Sequence, residues 1–121
     1  MTSRADRPFC SDVTAVLANE HAYALNDKYP LSPGHLLLIT RRHMASFFDT
    51  SSAERCALLA LLVQAKTLLD EKFAPRGYNI GVNVGETAGQ TIMHVHVHLM
   101  PRYAGDTPDP RGGVSKRSSP T

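Results

Sequence analysis

Cysteine is scarce: the chain has only Cys10 and Cys56. They lie far apart and in unlike settings, which argues against a disulfide framework and fits a reducing compartment. Long hydrophobic runs are also missing. Nothing approaches the roughly 20 consecutive apolar residues needed to span a bilayer, and the opening "MTSRADRPFC" has no apolar signal-peptide core. These absences predict a cytoplasmic protein with no membrane partner. Charge of one sign is scarce too, at a formal +2, and the one dense basic cluster is "TRRH" at 40–43. Such a balance leaves no electrostatic footprint for nucleic acid. No internal repeat is present.

What remains is an ordinary globular composition, 42% hydrophobic and 20% charged over 121 residues, which fits one domain with a modest core. Residues 13–18 and 21–27 read as two strands joined by a tight turn at Asn19 and Glu20. "YPLSPGH" is a loop, and "HLLLIT" at 35–40 is a third strand. A long helix is predicted from Ser51, where Ser51 and Glu54 have capping-box spacing, to about Phe73, before Pro75 and Gly77. Positions 58, 61, 62, 65, 68 and 69 form its apolar face, and Glu54, Gln64, Lys66, Asp70 and Glu71 its polar one.

The turn "ALLALLV" at 57–63 is apolar almost all round and predicts a subunit interface. Residues 77–84 and 91–100 complete the strands around the loop "GETAGQ". Strands grouped around a helix with hairpin-length connections predict an α+β fold with an antiparallel sheet. The domain is expected over residues 1–103. Residues 104–121, rich in Pro, Gly and Ser, are expected to be extended or disordered.

The chemistry-bearing stretch is "MHVHVHLMPR", residues 93–102, with His94, His96 and His98 at every second position. Strand alternation puts these three on one face with Ile92 and Met100, and turns Met93, Val95, Val97 and Leu99 into the core. Successive histidines then sit roughly 6.6 Å apart at Cα, an awkward spacing for three ligands of one tetrahedral metal. It suits an extended anion better, with one ring attacking and its neighbours orienting and donating. The preceding loop, Gly85 to Thr91 with Gly89, can offer backbone N–H groups to phosphate oxygens, with Gln90 and Asn83 as amide donors. His35 opens a strand after "SPG".

"HVHVHLM" followed by "PR" and preceded by "GQT" resembles the signature of the histidine triad (HIT) family. "ALNDKYPLSPGHLLLITRRH", "GYNIGVNVGETAGQT" and "GDTPDPRGGV" are similar to it as well, so the resemblance covers roughly residues 8–114. It implies a five-stranded antiparallel sheet with one long and one short helix, extended by homodimerisation. It also implies metal-independent hydrolysis or transfer at the α-phosphate of a nucleotide conjugate, such as a dinucleoside polyphosphate or a nucleoside phosphoramidate.

By position, the resemblance makes His96 the nucleophile, carrying a nucleotidyl intermediate. His94 buttresses it, His98 bonds phosphate oxygens, His35 is a fourth active-site histidine and Gln90 contacts phosphate. Asp27 falls at the ribose site and Asn83 on the phosphate side. Leu25, Gly89 and Thr91 complete the expected nucleotide pocket, whose substrate is a purine nucleotide. No cofactor is expected. Many bacterial relatives hold structural zinc through an N-terminal Cys-x-x-Cys pair and two histidines; here Arg7 replaces the first cysteine, leaving Cys10, His43 and His94 as an incomplete zinc set. Two other readings compete: a nucleotide-binding regulatory module with little turnover, and a zinc-dependent hydrolase using the histidines as ligands.

Overall fold

The computed structural model describes residues 15–111; Cys10 and the start of the first expected strand lie outside them. In chain order the elements are β1 (Leu17–Ala18), β2 (Ala22–Asn26), β3 (Leu36–Thr40), α1 (Ser52–Phe73), β4 (Gly77–Gly81) and β5 (His96–Arg102). The other helical pieces among the described residues are two 3₁₀ turns, Phe47–Asp49 and Glu86–Ala88. The strands form one antiparallel sheet in the order β1-β2-β3-β5-β4. Among the described residues no helix is long and apolar enough to cross a membrane.

Local chemistry sets each element. The β1–β2 turn forms because Asn19 Oδ1 accepts the N–H groups of His21 (3.1 Å) and Ala22 (2.9 Å). The same side chain donates to Ala57 O at 2.9 Å, tying the hairpin to α1. The capping box closes as its spacing requires: Glu54 N–H donates to Ser51 Oγ and Ser51 N–H to Glu54 Oε1. At the other end Ala74 turns left-handed (φ 49°), and Pro75 stops the helix.

Leu58, Leu61, Ala65 and Leu69 of α1 pack against Ala22, Ala24, Leu36, Leu38 and Leu99 of the sheet. Each fully buried leucine contributes about 1.5–3 kcal/mol of transfer free energy. Leu62 is partly buried against this core, whereas Leu68, expected to share it, is 36% exposed. Leu59 and Val63 are also exposed, so the apolar turn 57–63 does present hydrocarbon outward.

Two expectations are corrected. Glu54 does not join the solvent face; it is buried beneath Arg42, whose Nε and Nη2 donate to its two carboxylate oxygens at 3.0 and 2.8 Å. A third-position helix residue that reaches back to its cap lies flat against the domain, where the arginine supplies charge and donors together. Secondly, the histidine strand begins at His96, not at residue 91, because residues 92–94 form a bend. Met93 is consequently exposed instead of core.

The face of the sheet away from α1 follows from register. Leu37 lies opposite His98 and Ile39 opposite His96, so both histidines share the face of Tyr23, Leu37 and Ile39. Leu25 sits opposite Leu37 on that same face. The loop leading to β3 is held tightly. Gly34 takes φ +89°, and a Cβ there would lie 3.0 Å from the Phe73 ring and 3.2 Å from Leu69 Cδ2. After β5, Arg102 grips Asp106 through two bonds of 2.8 and 2.9 Å and Asn79 Oδ1 at 2.9 Å. Tyr103 OH donates to Pro33 O at 2.7 Å.

Arg42 and, to lesser degrees, Ser51 hold the Glu54 carboxyl down at about 2, against an ordinary 4.5. The depressed value means that the pair's contribution is complete above pH 4.5 and disappears as pH falls toward 2. Acid denaturation monitored by circular dichroism therefore shows stability lost through that window, and Glu54→Gln removes this part of the pH dependence while lowering stability near neutrality by about 1–3 kcal/mol. An unchanged acid slope in the variant contradicts the assignment.

Candidate active site

The site is built on β3 and β5 and the turns that precede them. His98 and His96 project from β5 with ring centroids 5.1 Å apart. His35 stands at the mouth of β3, its Nε2 2.9 Å from His98 Nδ1. Leu31 N–H donates to His35 Nδ1 at 3.1 Å. A backbone amide can only donate, so Nδ1 of His35 carries a lone pair and the ring's proton resides on Nε2. That proton is donated to His98 Nδ1, and neutral His98 must then bear its own proton on Nε2.

The opposite assignment holds on the neighbouring ring. His96 Nδ1–H donates to the carbonyl of His94 at 2.8 Å; a carbonyl can only accept, which leaves the lone pair on Nε2. Adjacent rings thus present one nucleophilic nitrogen and one N–H donor. Burial, with the neighbouring His96 and His35 rings adding to it, pushes His98 down to about 4. Burial also lowers His35, against an opposing pull from Asp27. His98 is therefore neutral at pH 7, a donor of one hydrogen bond without carrying charge.

The remaining sequence-predicted residues fall into three groups. Asp27, just after β2, places Oδ2 3.5 Å from His35 Nε2 while its Oδ1 accepts Tyr29 N–H at 2.9 Å. Leu25 lines the apolar wall with Tyr23 and Leu37. Asn83 lies against Gly89, whose φ of +96° ends the 3₁₀ turn of the loop. Thr91 is exposed. Gln90, by contrast, is buried with its amide committed to the backbone: it donates to Ala45 O (2.8 Å) and Ile92 O (3.0 Å) and accepts from Gly85 N–H (2.8 Å). In this structure it shapes the loop.

His94 has partners of its own. From the bend before β5 its ring packs edge-on against His43, centroids 4.7 Å apart, and Nε2–H donates to Thr40 O at 2.7 Å. Its support for His96 comes through its carbonyl. The Nδ1 atoms of His43 and His94 are 3.2 Å apart, near the roughly 3.3 Å separation of two nitrogens on one tetrahedral zinc. Two imidazoles thus fit part of a structural zinc set; the third candidate, Cys10, lies outside the described residues.

Asp27, His35 and His98 also bring one donor atom each within 4.8 Å. They do not fit a metal: Leu31 N–H keeps the proton on His35 Nε2, the nitrogen that would have to bind it. Backbone Leu31 N–H and His94 C=O are the functional groups sequence reading missed. No side-chain pattern signals them.

Five antiparallel strands under one long helix, with two imidazoles of opposite tautomer on a central strand and a third behind them, define the histidine triad class. Residues 10–105 match the model of the HIT domain, and the chain belongs to that family. It is 35% identical over 85 residues to an AP-4-A phosphorylase of Mycobacterium tuberculosis, covering 69% of this chain and 44% of the relative. It is 35% identical over 77 residues to an asymmetrical bis(5'-nucleosyl)-tetraphosphatase of Schizosaccharomyces pombe, covering 64% and 42%. The chain spans about half the length of the curated relatives it matches. Among solved structures, a zinc-bound histidine triad family protein from Mycobacterium smegmatis superposes with a TM-score of 0.74 at 27% identity, covering 97% of this chain and 82% of that one.

The tautomers are directly measurable. Long-range proton–nitrogen spectra at pH 7 are expected to show the His96 ring with its hydrogen-bonded proton on Nδ1 and neutral His98 protonated at Nε2. The reverse assignment at either ring contradicts the hydrogen-bond chain.

Proposed function

We propose that the domain is a nucleotide hydrolase or transferase acting at the α-phosphate of a nucleotide conjugate, with His96 as covalent catalyst. The observation that carries this is the pair of opposite tautomers 5.1 Å apart on one strand. His96 Nε2 attacks phosphorus, the leaving group departs with its electron pair, and water then displaces the nitrogen to restore the ring. His98 Nε2–H and the loop amides stabilise the phosphoryl oxygens. Asp27 contacts the ribose, and Asn83, Gly89 and Thr91 form the phosphate side. A purine lies against Leu25. The relatives named for AP-4-A phosphorylase and tetraphosphatase activities support a dinucleoside polyphosphate substrate, with nucleoside phosphoramidates presenting the same phosphorus. The reaction requires no cofactor and runs in the cytoplasm, the compartment that two distant cysteines fit.

The enzyme is proposed to be a homodimer. β4 is an edge strand of the described sheet, with Ile80 half exposed. Beside it lies a groove lined by Phe47, Leu58, Leu59, Leu62 and Val97. A second copy adding its own β4 covers both features and removes an exposed sheet edge. Light scattering at micromolar concentration is expected to give twice the chain mass, and Ile80→Lys to shift the mass toward one chain; a monomer in both contradicts the dimer.

The reaction is tested by brief mixing with diadenosine polyphosphate or adenosine phosphoramidate and quenching in base, where a phosphorus–nitrogen bond survives. The protein is expected to gain one nucleotidyl group, mapped to His96. His96→Ala abolishes the adduct and lowers turnover on the order of 10⁴-fold or more, with nucleotide binding largely retained. Prolonged chelation leaves the rate unchanged. Turnover without an adduct, or a label on another residue, overturns the mechanism; binding without turnover favours a regulatory module; loss with EDTA and rescue by zinc favours a metal-dependent hydrolase.

A further inference from the structure

The hydrogen-bond chain through His35 has a chemical dead end. If His98 gives its Nε2 proton to a leaving group, its Nδ1 must take one from His35 Nε2 or the ring becomes an anion. His35 has no replacement, because its Nδ1 faces the donating amide of Leu31. In this neutral arrangement His98 holds an oxygen without protonating it. To act as an acid it must first carry a proton on Nδ1, and that N–H then points at the His35 Nε2–H, two donors 2.9 Å apart.

A third group stands within reach. Asp27 Oδ2 lies 3.5 Å from His35 Nε2, inside the same cluster, and Tyr29 N–H holds the carboxylate through its other oxygen. Asp27 has an 18% exposed side chain beside a His35 ring that is 1% exposed, so little water competes for these donors. The titratable groups that face His98 are Asp27, His35 and, on its own strand, His96; its neighbours across β3 and β4 are Leu37 and Gly81.

We propose that Asp27 is a positioning residue that decides whether His98 can protonate the leaving group: its carboxylate accepts the His35 Nε2–H when His98 Nδ1 is protonated. The proposal rests on the reading of the site as a nucleotidyl-transfer centre. The charged state is then a carboxylate, a neutral His35 and an imidazolium: Asp27 draws the His35 N–H toward itself and its charge opposes that of the His98 ring. In the first step the lone pair of His96 Nε2 forms the bond to phosphorus. The bond to the leaving group breaks with its electrons, and the proton on His98 Nε2 passes to the departing atom. In the second step water attacks, its proton returns to His98 Nε2, and the phosphorus–nitrogen bond breaks with its electrons going back to His96. An amine departs only with that proton, whereas 4-nitrophenolate leaves without it.

The experiment compares two substrates, adenosine 5'-phosphoramidate and the 4-nitrophenyl ester of AMP, in the full chain and in Asp27→Asn. Loss of ribose contact or of folded protein lowers both rates together. Loss of the acceptor lowers the ratio of the phosphoramidate kcat to the ester kcat by roughly 10²-fold, the range of general acid catalysis. A ratio equal to that of the unsubstituted protein overturns the proposal. Absence of adduct and turnover with either substrate in the unsubstituted protein instead overturns the nucleotidyl-transfer reading. Should the variant not fold, nitrogen-15 titration of the unsubstituted protein decides: the proton taken up on acidification is expected at His98 Nδ1, with His35 Nδ1 remaining unprotonated. Uptake at His35 Nδ1, displacing Leu31 N–H, overturns the proposal.

Discussion

A backbone amide has no choice of role, and the amide of Leu31 imposes that constraint on the whole site. By donating to His35 Nδ1 it orders two rings in series, so that the nitrogen His98 turns outward carries a hydrogen. His96 is ordered in the complementary sense by the carbonyl of His94. Neither outcome draws on the chemistry of imidazole, which is indifferent between tautomers until a neighbour is fixed. The polarity of the two rings is here borrowed from peptide groups.

That arrangement demands accurate registration between strands remote in sequence. His35 precedes β3 and His98 lies in β5, sixty-three residues later, yet antiparallel pairing places Leu36 opposite Leu99 and Leu37 opposite His98. A slip of one residue carries both β5 imidazoles to the helix face, into the leucines of the core. A slip is resisted by Leu99 and Val97, which pack with α1, and by Ile39 and Leu37 on the opposite side. Packing on one face thereby aligns nitrogen atoms on the other.

Much of this was legible in the order of residues. Alternation at His96 and His98, the loop before His35, and the Ser51 and Glu54 spacing each announce a periodic or capping pattern, and the fold follows from them. His94 was not legible, because a bend leaves no mark in an alternating string, and "MHVH" reads as strand up to its first residue. Glu54 misled for a different reason: a carboxylate predicts solvent unless its partner is known, and Arg42 is twelve residues away. Gln90 looks like a free amide in sequence, whereas its three backbone bonds depend on Ala45, Ile92 and Gly85 converging in space. The decisive groups at Leu31 and His94 are main-chain atoms that every residue shares.

The loop between residues 31 and 35 is clamped from two sides, by Phe73 and Leu69 closing on Gly34 and by Tyr103 holding Pro33. The last turn of the helix and the segment beyond β5 therefore meet at the few residues that orient His35. A change at Phe73 or Tyr103 therefore reaches the imidazoles through the backbone of this loop, whose Leu31 amide orders His35.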